Sequence, residues 1–274
     1  MRWLLILLWF VPSLALAQVN VEKVRSGGIN EGFSGSAALS SAFSTGNIQL
    51  ADIGLSASEA YKRGDHTVFS VLNGRFAAKR TQADLKDDPK TGLWDKDARF
   101  ANAFMAHLRY NYALTEAVWL EVFAQYEFNE FLLLDRRLVA GIGPRLGLLK
   151  GKHGLIVLGT AAMVEEERLN GELVSESEAV QRINMRSSSY LSGTWRPKDG
   201  ISWTTTVYMQ PRFDQFSDYR LLAETGLSLS ISKRFSFTAD VRYKLDSQPP
   251  ETPDGNAEVL PADVTVKNGI KVTW

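Results

Sequence analysis

The side chains able to do covalent chemistry in this sequence are few. It holds three histidines, His66, His107 and His153, and no cysteine. Thiolate nucleophiles, disulfides and cysteine metal sites are therefore excluded together. A serine hydrolase needs a serine and a histidine that meet in space, and no Gly-x-Ser-x-Gly elbow is present. Glu165-Glu166-Glu167 and the acids Asp84, Asp87, Asp88, Asp95 and Asp97 are residue types that hold a hard divalent cation through oxygen. Lys86, Lys90 and Lys96 lie among the second group, so such runs read as solvated loop faces. No catalytic residue, metal or cofactor is expected, and no enzymatic activity. With 31 basic against 31 acidic residues, the chain lacks the basic excess that phosphate binding needs, which argues against nucleic acid.

The charged residues instead fall into a pattern of alternation. From Phe235 to Asp246 the odd positions are Phe, Phe, Ala, Val, Tyr and Leu, and the even ones Ser, Thr, Asp, Arg, Lys and Asp. Successive side chains on a strand point to opposite faces, so this is a strand with one apolar and one charged face. A soluble core cannot hold four charged groups of both signs from one strand, whereas a watery lumen can. Val118 to Asn129 repeats the pattern, and Val264 to Trp274 does so up to the last residue. If the apolar parity faces lipid, the lumen is lined by Asp52, Arg75, Arg109, Glu121, Glu127, Arg137, Arg145, Arg186, Glu224, Asp240, Arg242, Lys244, Lys267 and Lys271, with His107 and Tyr190 on the same parity. Two readings stay open. The charges neutralise one another and plug a narrow barrel, or they set selectivity for a small polar solute. Basic residues outnumber acidic ones, which leans toward anions.

The elements that carry these residues are about twelve segments of strand length between Gly32 and Trp274. Leu155 to Val164 is apolar on both faces and is assigned by spacing alone. The connections alternate between short, as at Tyr61 to Asp65 or Lys150 to Gly154, and long, as at Thr81 to Asp97, Arg168 to Arg182 and Ser247 to Pro261. Short turns at one rim and long loops at the other are the habit of bacterial outer-membrane barrels. Tyr112, Trp119, Trp195, Trp203, Phe235 and Trp274 gather toward the short-turn rim as membrane-interface aromatics, and Phe43, Phe131, Phe213 and Phe216 toward the other.

The expected fold is all-β: a transmembrane antiparallel β-barrel of about twelve strands with both termini periplasmic. Met1 to Ala17 reads as a secretory signal peptide, with Arg2, an apolar run and Ala15-Leu16-Ala17 before Gln18. Residues 18–30 are then a periplasmic lead-in and 31–274 the barrel. The expected surroundings are the bacterial outer membrane, with its lipid and lipopolysaccharide, and small solutes in the lumen. A closed barrel satisfies every backbone group in lipid without a membrane helix.

Three stretches carry a resemblance. Ser44-Thr45-Gly46-Asn47 at the first hairpin, Arg136-Arg137-Leu138-Val139-Ala140-Gly141-Ile142-Gly143-Pro144-Arg145 in the sixth strand and Arg186-Ser187-Ser188-Ser189-Tyr190-Leu191 in the eighth resemble the family known as domain of unknown function 481. The family includes proteins described as salt-induced outer-membrane proteins. The resemblance implies an outer-membrane barrel linked to salt or osmotic stress, a passive channel or an envelope component, and brings no catalytic or binding residues to carry over. The competing class is an outer-membrane lipid hydrolase. A C-terminal strand that ends on an aromatic, here Trp274, also resembles the signal by which the barrel-assembly machinery recognises its substrates.

Overall fold

The computed structural model describes residues 22, 29–46, 48–87, 92–253 and 259–274. The expected signal peptide lies outside the described residues, as does Asn47 of the first hairpin. Twelve strands follow one another: β1 Gly32–Ser44, β2 Ile48–Arg63, β3 His66–Thr81, β4 Arg99–Ala113, β5 Val118–Asn129, β6 Leu134–Gly151, β7 Gly154–Leu169, β8 Gln181–Trp195, β9 Ile201–Pro211, β10 Tyr219–Ser230, β11 Phe235–Asp246 and β12 Ala262–Thr273. Each pairs antiparallel with its sequence neighbours, and β1 meets β12 to close a barrel. A short α-helix, α1 Gln82–Asp87, leaves β3 into the longest loop.

The strands exist because their sequences alternate, and burial follows the alternation. In β5, Glu121, Phe123, Glu127 and Asn129 are buried while Val122 and Tyr126 are exposed. The same outward parity exposes Leu55, Leu72, Leu108, Ile142, Val207, Val241 and Val266 on other strands. Charged groups inside and aliphatic groups outside invert the arrangement of a soluble protein, and the solvent that suits such a surface is hydrocarbon. Among the described residues no helix is long and apolar enough to cross a membrane; the strands are the membrane-crossing elements of this fold.

The connections sort by end. Turns 64–65, 114–117, 152–153, 196–200 and 231–234 lie at one end, and connections 45–47, 82–98, 130–133, 170–180, 212–218 and 247–261 at the other. The start of β1 and the end of β12 lie at the short-turn end. Gly46 has φ +106° and Gly64 φ +57° in two of these hairpins, where a side chain would be strained.

The seam is the weakest ladder. β1 pairs with β2 along its whole length, but its register with β12 consists of Ser36↔Thr273 and Ala37↔Val272, with Gly35 and Trp274 exchanging backbone bonds of 3.1 Å beside them. The Trp274 indole packs on Gly35, where an added Cβ would stand 2.7 Å from the ring.

Candidate functional site

A twelve-stranded barrel lies between small barrels filled by side chains and large ones that leave a channel, so its function depends on how the interior is filled. On β3 to β10 the filling is large. Glu127, Arg137, Glu165, Glu167, Arg186 and Arg220 are all buried. Arg137 donates from Nε to Glu167 Oε1 at 2.7 Å and from Nη1 to Glu127 Oε2 at 3.4 Å. Arg186 donates to Glu165 at 3.0 Å and Asp218 at 2.9 Å. Arg220 reaches Glu165 at 2.5 Å, Glu167 at 2.8 Å and Asp246 at 2.9 Å. Several strands thus meet in one ion-pair network near the long-loop end. Burial of these charges is costly, and what offsets it is that each guanidinium has more than one carboxylate.

A second network occupies the short-turn end. Arg109 Nη1 donates to Glu121 Oε2 at 3.0 Å, and Tyr190 OH donates to the same oxygen from across the interior at 2.9 Å. Arg145 donates to Glu22 at 2.9 Å and lies 5.1 Å over the Trp119 ring. His107 links the two ends. Its Nδ1 stands 3.2 Å from Gln125 Oε1, its Nε2 accepts from Arg109 Nε at 3.3 Å, and Gln125 donates to Glu127 at 3.3 Å. Glu22, in the segment read as a lead-in, is therefore buried inside the barrel mouth.

The other sector is built differently. The inward side chains of β1 are Ser34, Ser36, Ala38, Ser40, Ala42 and Ser44, and opposite them on β2 stand Ala60, Ser58, Ser56, Gly54, Asp52 and Leu50. Ser40, Ala42 and Ser44 are exposed and Ser34, Ser36, Ser56 and Ser58 half-buried. Inward positions of β11 and β12 add Ser236, Thr238, Gly269 and Lys271. Small side chains cannot reach across, so solvent reaches this wall while the opposite wall is closed by its own ion pairs. Across Ser34–Ser44 and Leu50–Ala60 the inward charge is Asp52, with Arg75 at 2.8 Å, whereas β11 and β12 are charged on their inward face, with Glu224 to Arg242 at 3.0 Å and Asp240, Lys267 and Lys271 beside them.

Of the fourteen residues proposed from the sequence to line the lumen, Arg109, Glu121, Glu127, Arg137, Arg145, Arg186, Glu224 and Lys244 are buried. Asp52, Arg75, Asp240, Arg242 and Lys271 are half-buried and Lys267 is exposed. The alternation of β11 already puts Asp246 inside; Glu165, Glu167, Asp218 and Arg220, which hold the larger network together with it, are absent from the expected lining. Of the aromatics, Trp195, Trp203, Phe235 and Trp274 are exposed on outward parity, and the Tyr112 ring lies tilted against His66 with centroids 5.1 Å apart. Trp119 is a correction: it shares inward parity with Glu121 and sits under Arg145, so it closes the short-turn end of the interior instead of facing lipid. Of the remaining histidines, His66 bonds Tyr110 OH at 2.7 Å and His153 the Arg196 carbonyl at 3.1 Å, both beside short turns. Among the described residues no group of three or more metal-ligating side chains is formed.

The motif-bearing strands β6 and β8 are the core of this interior, and the sequence profile of one family matches residues 37–258, nearly the whole barrel. The chain belongs to the family described as protein of unknown function, DUF481. No curated protein matches this DUF481 chain in sequence. Solved structures similar to it include the translocator domain of the autotransporter NalP from Neisseria meningitidis, 8% identical, covering 92% of each chain with a TM-score of 0.48. Another is an outer-membrane channel from Pseudomonas putida F1, 10% identical over 90% of this chain and 96% of that one, with a TM-score of 0.47. The NanC porin is 6% identical over 88% of this DUF481 chain and 97% of its own, with a TM-score of 0.44.

Proposed function

We propose that this DUF481 protein resides in a Gram-negative outer membrane and passes small solutes or ions passively along an eccentric lumen between the ion-pair networks and the wall of β11, β12, β1 and β2. The observation that carries this reading is the contrast between the two walls, one closed by buried ion pairs and the other lined on β1 and β2 by small serine and alanine side chains that are half-buried or exposed. The apolar outer surface and the exposed Trp195, Trp203 and Trp274 at one rim fit a bilayer with the short turns in the periplasm. Lipid and lipopolysaccharide are then its surroundings, and the strand ending at Trp274 is what the barrel-assembly machinery would engage. Toward the short-turn end Lys267 and Lys271 face Asp240, an excess of one positive charge that supports a weak anion preference.

A second reading, a closed structural component of the envelope that answers to salt or osmotic stress, is favoured by the self-neutralisation of the buried charges. The lipid-hydrolase alternative gains nothing from the geometry, since His66 and His153 lie beside short turns and His107 lies inside. Single-channel recording of the purified protein in a planar bilayer under a salt gradient separates the first two. Discrete steps with a reversal potential on the anion side, moved toward cations in the Lys267→Glu/Lys271→Glu double variant, are expected. Cation preference in the native protein would contradict the anion reading, and a folded barrel without conductance would favour the structural one.

A further inference from the structure

The two edges that meet at the seam are paired for only part of their length. Gly35 and Trp274 exchange backbone bonds of 3.1 Å, and the ladder continues as Ser36↔Thr273 and Ala37↔Val272. Beyond that point, among the described residues, β1 runs on from Ala38 to Ser44 paired with β2 but with no rung to β12. At about 3.3 Å per residue this stretch is about 23 Å long, which at a barrel's tilt spans roughly one leaflet. Exposure changes at the same place. From Gly32 to Ala38 every residue of β1 except Phe33 is half-buried, whereas Leu39 to Ser44 are all exposed, on both parities.

An open sheet edge is not tolerated in hydrocarbon, where its N–H and C=O groups find no partner; irregular backbone at membrane depth survives where it lines water. The upper seam is therefore a wet slot, and the lumen is its source of water. Nothing on the inward face fills it. Ala38, Ser40 and Ala42 on β1 and Gly269 on β12 are too small to cross, and Ser40 Oγ donates to the Gly54 carbonyl of β2 at 3.4 Å, away from β12. The outward face is unusual as well. Elsewhere the outward hydroxyls bond one another across strands, as Thr160 with Ser189 and Thr205 with Thr225, each at 2.9 Å. Ser41 and Asn268, which would oppose each other if the ladder ran on, make no such side-chain bond among the described residues. Exposed Leu39, Phe43, Val266 and Ile270 surround them. The slot thus has polar edges inside an apolar rim.

We propose that the slot between β1 and β12 is a lateral portal, through which small uncharged molecules with an apolar part pass between the lumen and the hydrocarbon of the leaflet on the long-loop side. The proposal rests on the reading that solutes enter the lumen from that side. Chemistry sorts the two routes. An ion that left the lumen for hydrocarbon would lose its hydration at high cost, so ions keep to the barrel axis. A neutral molecule with apolar surface gains by leaving water, and the serine and alanine wall of β1 and β2 leads it to the slot. At the short-turn end the Gly35 and Trp274 contact closes the wall, so the portal opens toward one leaflet only.

Dye entry into cells tests it. A Gram-negative host whose lipopolysaccharide excludes N-phenylnaphthylamine, an uncharged apolar dye that fluoresces in hydrocarbon, expresses the native protein or the Ser41→Cys/Asn268→Cys variant, bridged by a bis-methanethiosulfonate linker. The native protein and the unbridged variant are expected to speed the rise in fluorescence over cells without the protein. The bridge should abolish that gain, and dithiothreitol should restore it. A Ser36→Cys/Thr273→Cys disulfide, in the part of the seam already paired, should leave dye entry unchanged, and both linked proteins should keep the heat-modifiable migration of a folded barrel. Ionic conductance in a planar bilayer reads the axial route separately and should be the same with and without the bridge. A native protein that admits no dye would overturn the proposal, as would a bridge that leaves dye entry unaltered or one that removes conductance along with it. Bridge-sensitive dye entry by a protein that conducts no ions would uphold the portal and overturn the axial reading alone.

Discussion

Arg220 bonds three carboxylates from β7 and β11, and removing it would leave Glu165, Glu167 and Asp246 each short of a partner in a buried site. Arg220→Met is expected to destabilise the barrel by about 3–5 kcal/mol, read by urea unfolding in lipid vesicles. Arg75→Met, which breaks a pair whose side chains are 17% and 29% exposed, should cost less than about 1 kcal/mol; equal losses would mean that burial does not set the worth of these pairs. Gly159 is a second sensitive point, since a Cβ there would stand 2.1 Å from the Tyr190 ring, whose hydroxyl reaches Glu121. Gly159→Ala should cost about 1–3 kcal/mol through overpacking in the same unfolding assay. Residues such as Arg137, Glu127 and Arg242 were legible in the sequence because their strands alternate cleanly. Glu165 and Glu167 were not, because β7 is apolar on both faces before them and offers no parity to extend. Arg220 did carry a usable signal, four residues before Glu224 on the same parity. Trp119 went the other way: its height along the strand suggested a membrane rim, while its parity already placed it inside.

Among the elements, strand order and boundaries follow so closely from alternation and loop spacing that β5 and β11 occupy the same residues in sequence and structure. What alternation cannot report is how well two distant strands close. The β1 to β12 ladder holds only at the short-turn end, and unpaired backbone groups are expensive in lipid. The chain has no native cysteine, so crosslinking tests the seam cleanly. Ser36→Cys with Thr273→Cys, directly opposed, should oxidise to a disulfide in the folded barrel. Ser41→Cys with Asn268→Cys, which would oppose each other if the register continued, should stay reduced. Rapid oxidation of the second pair would mean that the seam is zipped along its length.

For the whole molecule, the closed barrel was legible from periodicity, loop sorting and inward charge, but the uneven filling of its interior was not. Which wall packs depends on side chains from non-adjacent strands meeting across the lumen, as Tyr190 of β8 meets Glu121 of β5. The run of Ser34, Ser36, Ala38 and Ser40 hints at room in the sequence without saying that nothing fills it from the far side. The eccentric lumen is tested most directly by thiol accessibility during single-channel recording. A cysteine at Ser40, on the accessible wall, should react with a charged methanethiosulfonate reagent and change the conductance in discrete steps. A cysteine at Ser192, buried and hydrogen-bonded to Thr206 at 2.8 Å on the packed wall, should leave the current unaltered. Block from Ser192 with no effect from Ser40 would contradict the account.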